Sequence, residues 1–98
     1  MTQDGTIIVA AYGTPGILGL ETLLQMGFGP EQLALATYPS DDRNQALVAF
    51  AEAQGIDTSM AAADSDELYE WIKVKQPSAL FSLHYRDRIP QRILDLPE

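Results

Sequence analysis

Apolar positions along the chain fall into four short runs separated by stretches with helical spacing. Thr6–Ile7–Ile8–Val9–Ala10–Ala11 is a near-continuous apolar run rich in β-branched residues. Continuity, rather than alternation, predicts a strand covered on both faces, as in a parallel sheet. Tyr12–Gly13–Thr14–Pro15–Gly16 breaks the run. Thr14 is the expected N-cap and Pro15 falls in a first turn that has no N–H to lose. A helix follows to about Met26, with Ile17, Leu20 and Leu24 on one face, and Gly27 and Gly29 end it.

Leu33–Tyr38 reads as the second strand. Pro39–Ser40–Asp41–Asp42 turns the chain, and an Asp cap opens a helix through Ala46–Ala53 that Gly55 and Ile56 stop. Asp57–Met60 is a third, weakly apolar strand. Asp64, with Glu67 three residues on, resembles a capping box, and the helix it starts turns Leu68, Trp71 and Ile72 inward. Lys73 and Lys75 suit the negative end of that helix, Pro77 closes it, and Ser78–Leu83 is the fourth strand. A helical turn is expected around Gln91–Leu94.

Strands alternating with helices predict right-handed crossovers in an α/β fold: a partial doubly wound parallel sheet with helices on both faces, three layers in all. In the order 3-2-1-4 the winding reverses between the first and fourth strands. Open α/β sheets bind ligands at such a switch point, beyond the carboxyl ends of the strands. The turns Tyr12–Gly16 and His84–Ile89 would line it.

Composition narrows the function. With 98 residues and no repeat or linker, one domain over 1–98 is expected. The absence of Cys and the single His exclude disulfide scaffolds, thiolate metal sites and multi-His zinc sites, so no metal is assigned. No apolar stretch approaches the ~20 residues that cross a bilayer, and the first residues lack the basic start of a secretory signal, so no membrane partner and a cytoplasmic location are expected. The net charge of −8 opposes nucleic-acid binding. Charge is uneven: residues 1–72 carry one base and 11 acids, residues 73–98 five bases and three acids. An anion-attracting surface belongs near the C-terminal end.

Several motifs reduce to structure. Gly13, Gly16 and Gly19 do not have the G-x-G-x-x-G spacing of dinucleotide sites, and Thr37 and Tyr38 stand where the acid would be, so the glycines read as a tight turn with close helix–sheet packing. No phosphate-binding P-loop and no phospho-accepting acid cluster is present. Asp41–Asp42 reads as helix capping rather than a metal pair. Trp71 and Phe81 read as packing residues. His84–Tyr85–Arg86–Asp87–Arg88 stands apart, because an imidazole, a phenol and two guanidinium groups sit at the tip of the last strand. Arg there would favour a carboxylate or phosphate.

Two stretches resemble the formyltransferase family that uses 10-formyltetrahydrofolate. One is Val9–Gly16 running into Leu20–Leu24; the other is Pro77–Pro90 with Ile93–Leu94–Asp95–Leu96–Pro97. The branch looks closer to the sugar-nucleotide N-formyltransferases than to the methionyl-tRNA enzymes, which carry a longer basic insertion where this chain has the short acidic Tyr38–Asn44. The resemblance implies one-carbon chemistry in which a formyl group passes to an amine, here of an amino sugar nucleotide. It implies that Tyr85, Arg86, Ile89 and Pro90, facing Tyr12 and Gly13, line the folate site. His84 is not a consistent family residue at its position and receives no proton-transfer role. The family's catalytic Asn-x-His, Ser-Leu-Leu-Pro segment and later Asp have no counterpart here, so no catalytic residue is assigned. The chain is expected to be the N-terminal portion of a catalytic domain, inactive alone. The alternatives are a non-catalytic α/β binding or interaction module and a piece of a methionyl-tRNA formyltransferase. A sheet ending at the fourth strand leaves open edges, which predicts self-association or pairing with a missing C-terminal half.

Overall fold

The computed structural model describes residues 6–39, 41–83, 85 and 88–96. Strand β1 (Ile7–Ala11) leads into helix α1 (Thr14–Gln25) and, after a 3-10 turn at Pro30–Gln32, into β2 (Leu33–Ala36). Helix α2 (Gln45–Gln54), β3 (Asp57–Ser59), α3 (Asp66–Val74), β4 (Ala79–Leu83) and the single turn α4 (Gln91–Leu94) complete the order. The strands form one parallel sheet in the order β3-β2-β1-β4, as expected.

Every side chain of β1 and β2 is buried. Alternate residues of β1 serve opposite layers. Ile7, Val9 and Ala11 join Leu20, Leu33, Leu35, Leu47 and Ala51 beneath α1 and α2. Ile8 and Ala10 join Ala34, Ala36, Leu68, Ile72 and Ile93 beneath α3 and α4. That division is what right-handed crossovers produce when the chain winds outward from β1 to β3 and then returns across the sheet to β4. The reversal between β1 and β4 is therefore present.

Two helix starts differ from expectation by one residue. Gly13, not Thr14, is the N-cap of α1, and Pro15 lies in the first turn. Gly13 has φ 73°, a left-handed value that lets the chain leave β1 and enter α1 in one step. For α3 the cap is Ser65, not Asp64: its hydroxyl accepts the Leu68 N–H at 3.1 Å. The Glu67 side chain is then in the first turn, where it suits the dipole without closing a capping box. Helix α2 ends as expected: Gly55 at φ 74° donates to the Glu52 carbonyl and Ile56 to the Ala51 carbonyl, and Ile56 is buried.

Phe81 is the clearest departure in packing. Instead of lying in the core it is 46% exposed, because β4 is the outermost strand and α1 covers only part of its flank. Trp71 is half-buried, with the Lys75 ammonium 4.6 Å from its ring centroid, and Lys75 also pairs with Asp57. Among the described residues no helix is long and apolar enough to cross a membrane.

Candidate functional site

The carboxyl ends of the strands are tied together by a buried polar network. Thr37, directly after β2, donates its hydroxyl to the Ala11 carbonyl at the end of β1 (2.7 Å). It accepts in turn from the Asn44 side-chain amide (3.0 Å), which also donates to the Tyr38 carbonyl (2.8 Å). The Asn44 amide oxygen accepts the Gly13 N–H at 2.9 Å. Asn44 is fully buried and Thr37 is 1% exposed, so these bonds replace water rather than compete with it. Asp41 organises the approach to Asn44. Its carboxylate accepts the backbone N–H groups of Arg43 (3.0 Å) and Asn44 (2.9 Å) and the Tyr12 hydroxyl (3.2 Å). Asp41 thus orders the turn before α2, but the N-cap of that helix is Asn44 rather than the expected Asp, and Asp42 stands exposed beside it.

Above this network three tyrosines meet. Tyr12 follows β1, Tyr38 follows β2 and Tyr85 follows β4. Tyr38 is edge-on to Tyr12, with ring centroids 5.5 Å apart, and stacks on Tyr85 at 5.0 Å with a 26° interplanar angle. The turn carrying Tyr12 and Gly13 and the loop carrying Tyr85 thus sit on neighbouring strands at one end of the sheet, and Tyr38 bridges them. The Tyr12 N–H also reaches the Leu83 carbonyl across the switch point, at 3.3 Å.

Tyr12 is half-buried at the rim, and Gly13 is buried with its N–H committed to Asn44. Tyr85 and Ile89 pack their inner faces on the Ile8–Ala10–Leu68–Ile72–Ile93 layer. Pro90 is half-buried and caps α4. The void behind Tyr85, Ile89 and Pro90 is only ≈10 Å³, at the limit of what a single water needs. Among the described residues these side chains enclose no deep pocket. Arg86, with His84 and Asp87, lies outside the described residues. Arg88 is exposed and borders an opening of ≈290 Å³ with Ala62, Ala63 and Asp64.

Two other openings are larger than the one at Arg88. One of ≈510 Å³ is bounded by Tyr12, Asp41, Asp42 and Arg43 and is mostly polar in lining. Another, of ≈380 Å³, runs along α1 and β4 between Leu18, Leu23, Phe81 and Leu83 and is almost wholly apolar. Among the described residues no group of three His, Cys, Asp or Glu side chains is placed to hold a metal ion.

Two curated proteins match this chain across most of its length. GDP-perosamine N-formyltransferases from Brucella melitensis and from Brucella abortus are each 38% identical to it over 90 residues, 92% of the chain. By sequence, this chain is similar to these two N-formyltransferases over most of its own length. The match covers 35% of either relative's length, so the chain spans about a third of the proteins it resembles. No family model matches it.

The sequence locates the Tyr12 turn and the Tyr85 loop but not what joins them. It marks Thr37 and Tyr38 only as standing where an acid would be, and gives Asn44 no role. The available signal was a polar residue next to an apolar strand at the carboxyl edge. Burial of such a residue implies a bonded partner.

Proposed function

We propose that this chain forms the folate-facing part of a formyltransferase that moves a formyl group from 10-formyltetrahydrofolate to the amine of an amino sugar nucleotide. The observation that carries the reading is the Tyr12–Tyr38–Tyr85 cluster at the switch point, which brings the two expected ligand-facing segments together. The names of the two Brucella relatives support the acceptor class.

The donor set suits a pterin in kind. A flat, partly apolar ring system lies well against aromatic and proline faces, and the outer sides of Tyr85, Ile89 and Pro90 supply these at the rim. Tyr38 holds the Tyr85 ring in place, and Asn44 fixes the Gly13 turn opposite. When bound, the folate would supply an activated formyl carbon for transfer to the amine, with tetrahydrofolate as the leaving group. Such a transfer would call for a base to take the amine proton and donors for the developing oxyanion. We assign neither role within these 98 residues and place both in the part of the fold that the relatives add.

The test is calorimetry of the chain with 5-formyltetrahydrofolate, a stable isomer of the donor. Binding in the millimolar range or better is expected. Tyr85→Ala is expected to weaken it about tenfold, equivalent to about 1.4 kcal/mol. No heat at saturating ligand with the folded chain, or equal binding by Tyr85→Ala, refutes the reading. The acidic Asp41–Asp42 approach and the net charge of −8 speak against a tRNA acceptor.

A further inference from the structure

Tyr12 is fastened at both ends. Its backbone N–H donates to the Leu83 carbonyl at 3.3 Å, and its hydroxyl donates to the Asp41 carboxylate, 3.2 Å from one oxygen and 3.3 Å from the other. That carboxylate is itself held, because it accepts the backbone N–H groups of Arg43 and Asn44. An ionised acceptor makes such bonds stronger than a neutral one does. The ≈510 Å³ opening bounded by Tyr12, Asp41, Asp42 and Arg43 leaves an unheld Tyr12 ring room to swing away. The hydroxyl bond to Asp41 is therefore what keeps the ring where it is. The rest of the cluster depends on that ring. Tyr12 stands edge-on to Tyr38 at 5.5 Å, and Tyr38 stacks on Tyr85 at 5.0 Å, while Tyr85 packs on Ile8, Ala10 and Ile93.

We infer that Asp41 is a positioning residue for the ligand-facing rim: by holding the Tyr12 phenol it keeps Tyr12 edge-on to Tyr38, and through Tyr38 it sets the angle of the Tyr85 ring. Its effect on ligand rests on the folate reading above; its effect on the rings does not. A rim whose side chains are already ordered does not have to order them on contact, so the expected consequence is in affinity. Fold stability is a separate matter. Asp41 also orders the turn before α2, so removing its carboxylate disturbs both the turn and the rings. Tyr12→Phe separates the two roles, because it deletes one exposed hydrogen bond and leaves both backbone bonds of Asp41 in place.

The test compares the unaltered chain with Tyr12→Phe, Asp41→Ala, the double variant, and Glu52→Gln on the exposed side of α2 as control. Proton NMR of the ligand-free proteins reads the rings, with the Tyr85 signals identified by their loss in Tyr85→Phe. Stacking displaces these signals from the position of free tyrosine. They are expected to move back toward it in Tyr12→Phe and at least as far in Asp41→Ala, with the urea midpoint of Tyr12→Phe unchanged. Calorimetry with 5-formyltetrahydrofolate is expected to show about three- to tenfold weaker binding by Tyr12→Phe, and no further loss in the double variant beyond Asp41→Ala. The control changes neither readout. Tyr85 signals that coincide in the unaltered chain, Tyr12→Phe and Asp41→Ala overturn the inference, whatever the affinities. So does unchanged affinity in Tyr12→Phe where Tyr85→Ala binds more weakly, which would leave Asp41 a turn residue alone. If the signals move but the unaltered chain binds no folate, the folate reading fails and the ordering of the rings by Asp41 stands.

Discussion

The side-chain oxygen of Asn44 accepts a hydrogen bond from the backbone nitrogen of Gly13, 31 residues earlier in the chain, at 2.9 Å and out of contact with solvent. This bond fastens the start of α1 to the start of α2, while the other end of the same amide holds Thr37 and the Tyr38 carbonyl. One side chain thus fixes the positions of the β1 and β2 exits on which the tyrosine cluster stands.

Removing Asn44 takes a partner from the buried Gly13 N–H and from the part-buried Tyr38 carbonyl. Asn44→Ala is expected to destabilise the fold by about 2–3 kcal/mol, since an orphaned buried group costs its full desolvation. Thr37→Val should cost about 1–2 kcal/mol, and the double variant less than the sum, because both act in one network. Urea unfolding of the four proteins measures this. Strict additivity would show that the two residues act independently.

The layout of the sheet was readable because β1 and β2 are unbroken apolar runs, and Gly55–Ile56 and Pro77 punctuate the helices. Alternation and the crossover rule give parallel strands and their handedness, and 3-2-1-4 is one of the orders they allow. Phe81 was misread because an apolar residue in a strand looks the same whether its strand is central or at the edge. The caps at Gly13 and Ser65 were displaced by one residue because neighbouring Thr14 and Asp64 are equally good capping types. Asn44 was invisible because the partners of its side chain, two backbone atoms and the Thr37 hydroxyl, lie 6 to 31 residues away, and no local pattern records them.

The displaced cap is testable directly. Ser65→Ala should cost about 1 kcal/mol by leaving the Leu68 N–H unpaired. Asp64→Ala should change stability by less than about 0.5 kcal/mol, as expected for an exposed side chain near a helix start. Thermal melts of the two variants decide between the caps, and a larger loss at Asp64 would contradict the observed hydrogen bond.

Gly16 limits how closely α1 can sit on the sheet. A Cβ added there would lie 2.9 Å from the Ala11 Cβ and 2.7 Å from a methyl of Leu47. Leu47 can shift, but Ala11 belongs to a fully buried strand and cannot. Gly16→Ala is therefore expected to destabilise by about 1–3 kcal/mol through overpacking, despite the higher helix propensity of Ala. Denaturant unfolding with an unchanged m-value would confirm it; a stabilised variant would mean that α1 has room to move away.

Charge sets the last expectation. With a net charge of −8 the folded chain repels itself, and its ion pairs offer little compensation. Arg92–Asp66 is well exposed, and Asp57, the partner of Lys75, is 60% exposed. Exposed pairs contribute at most about 1 kcal/mol each, whereas screening acts on every repulsive pair at once. Raising sodium chloride from low to near-molar concentration should therefore raise the melting temperature, by about 4–8 °C for each kcal/mol of repulsion relieved in a domain of this size. A melting temperature that falls with salt would mean that the few attractive pairs outweigh the acidic excess, and Lys75→Met would then lower it markedly at low salt.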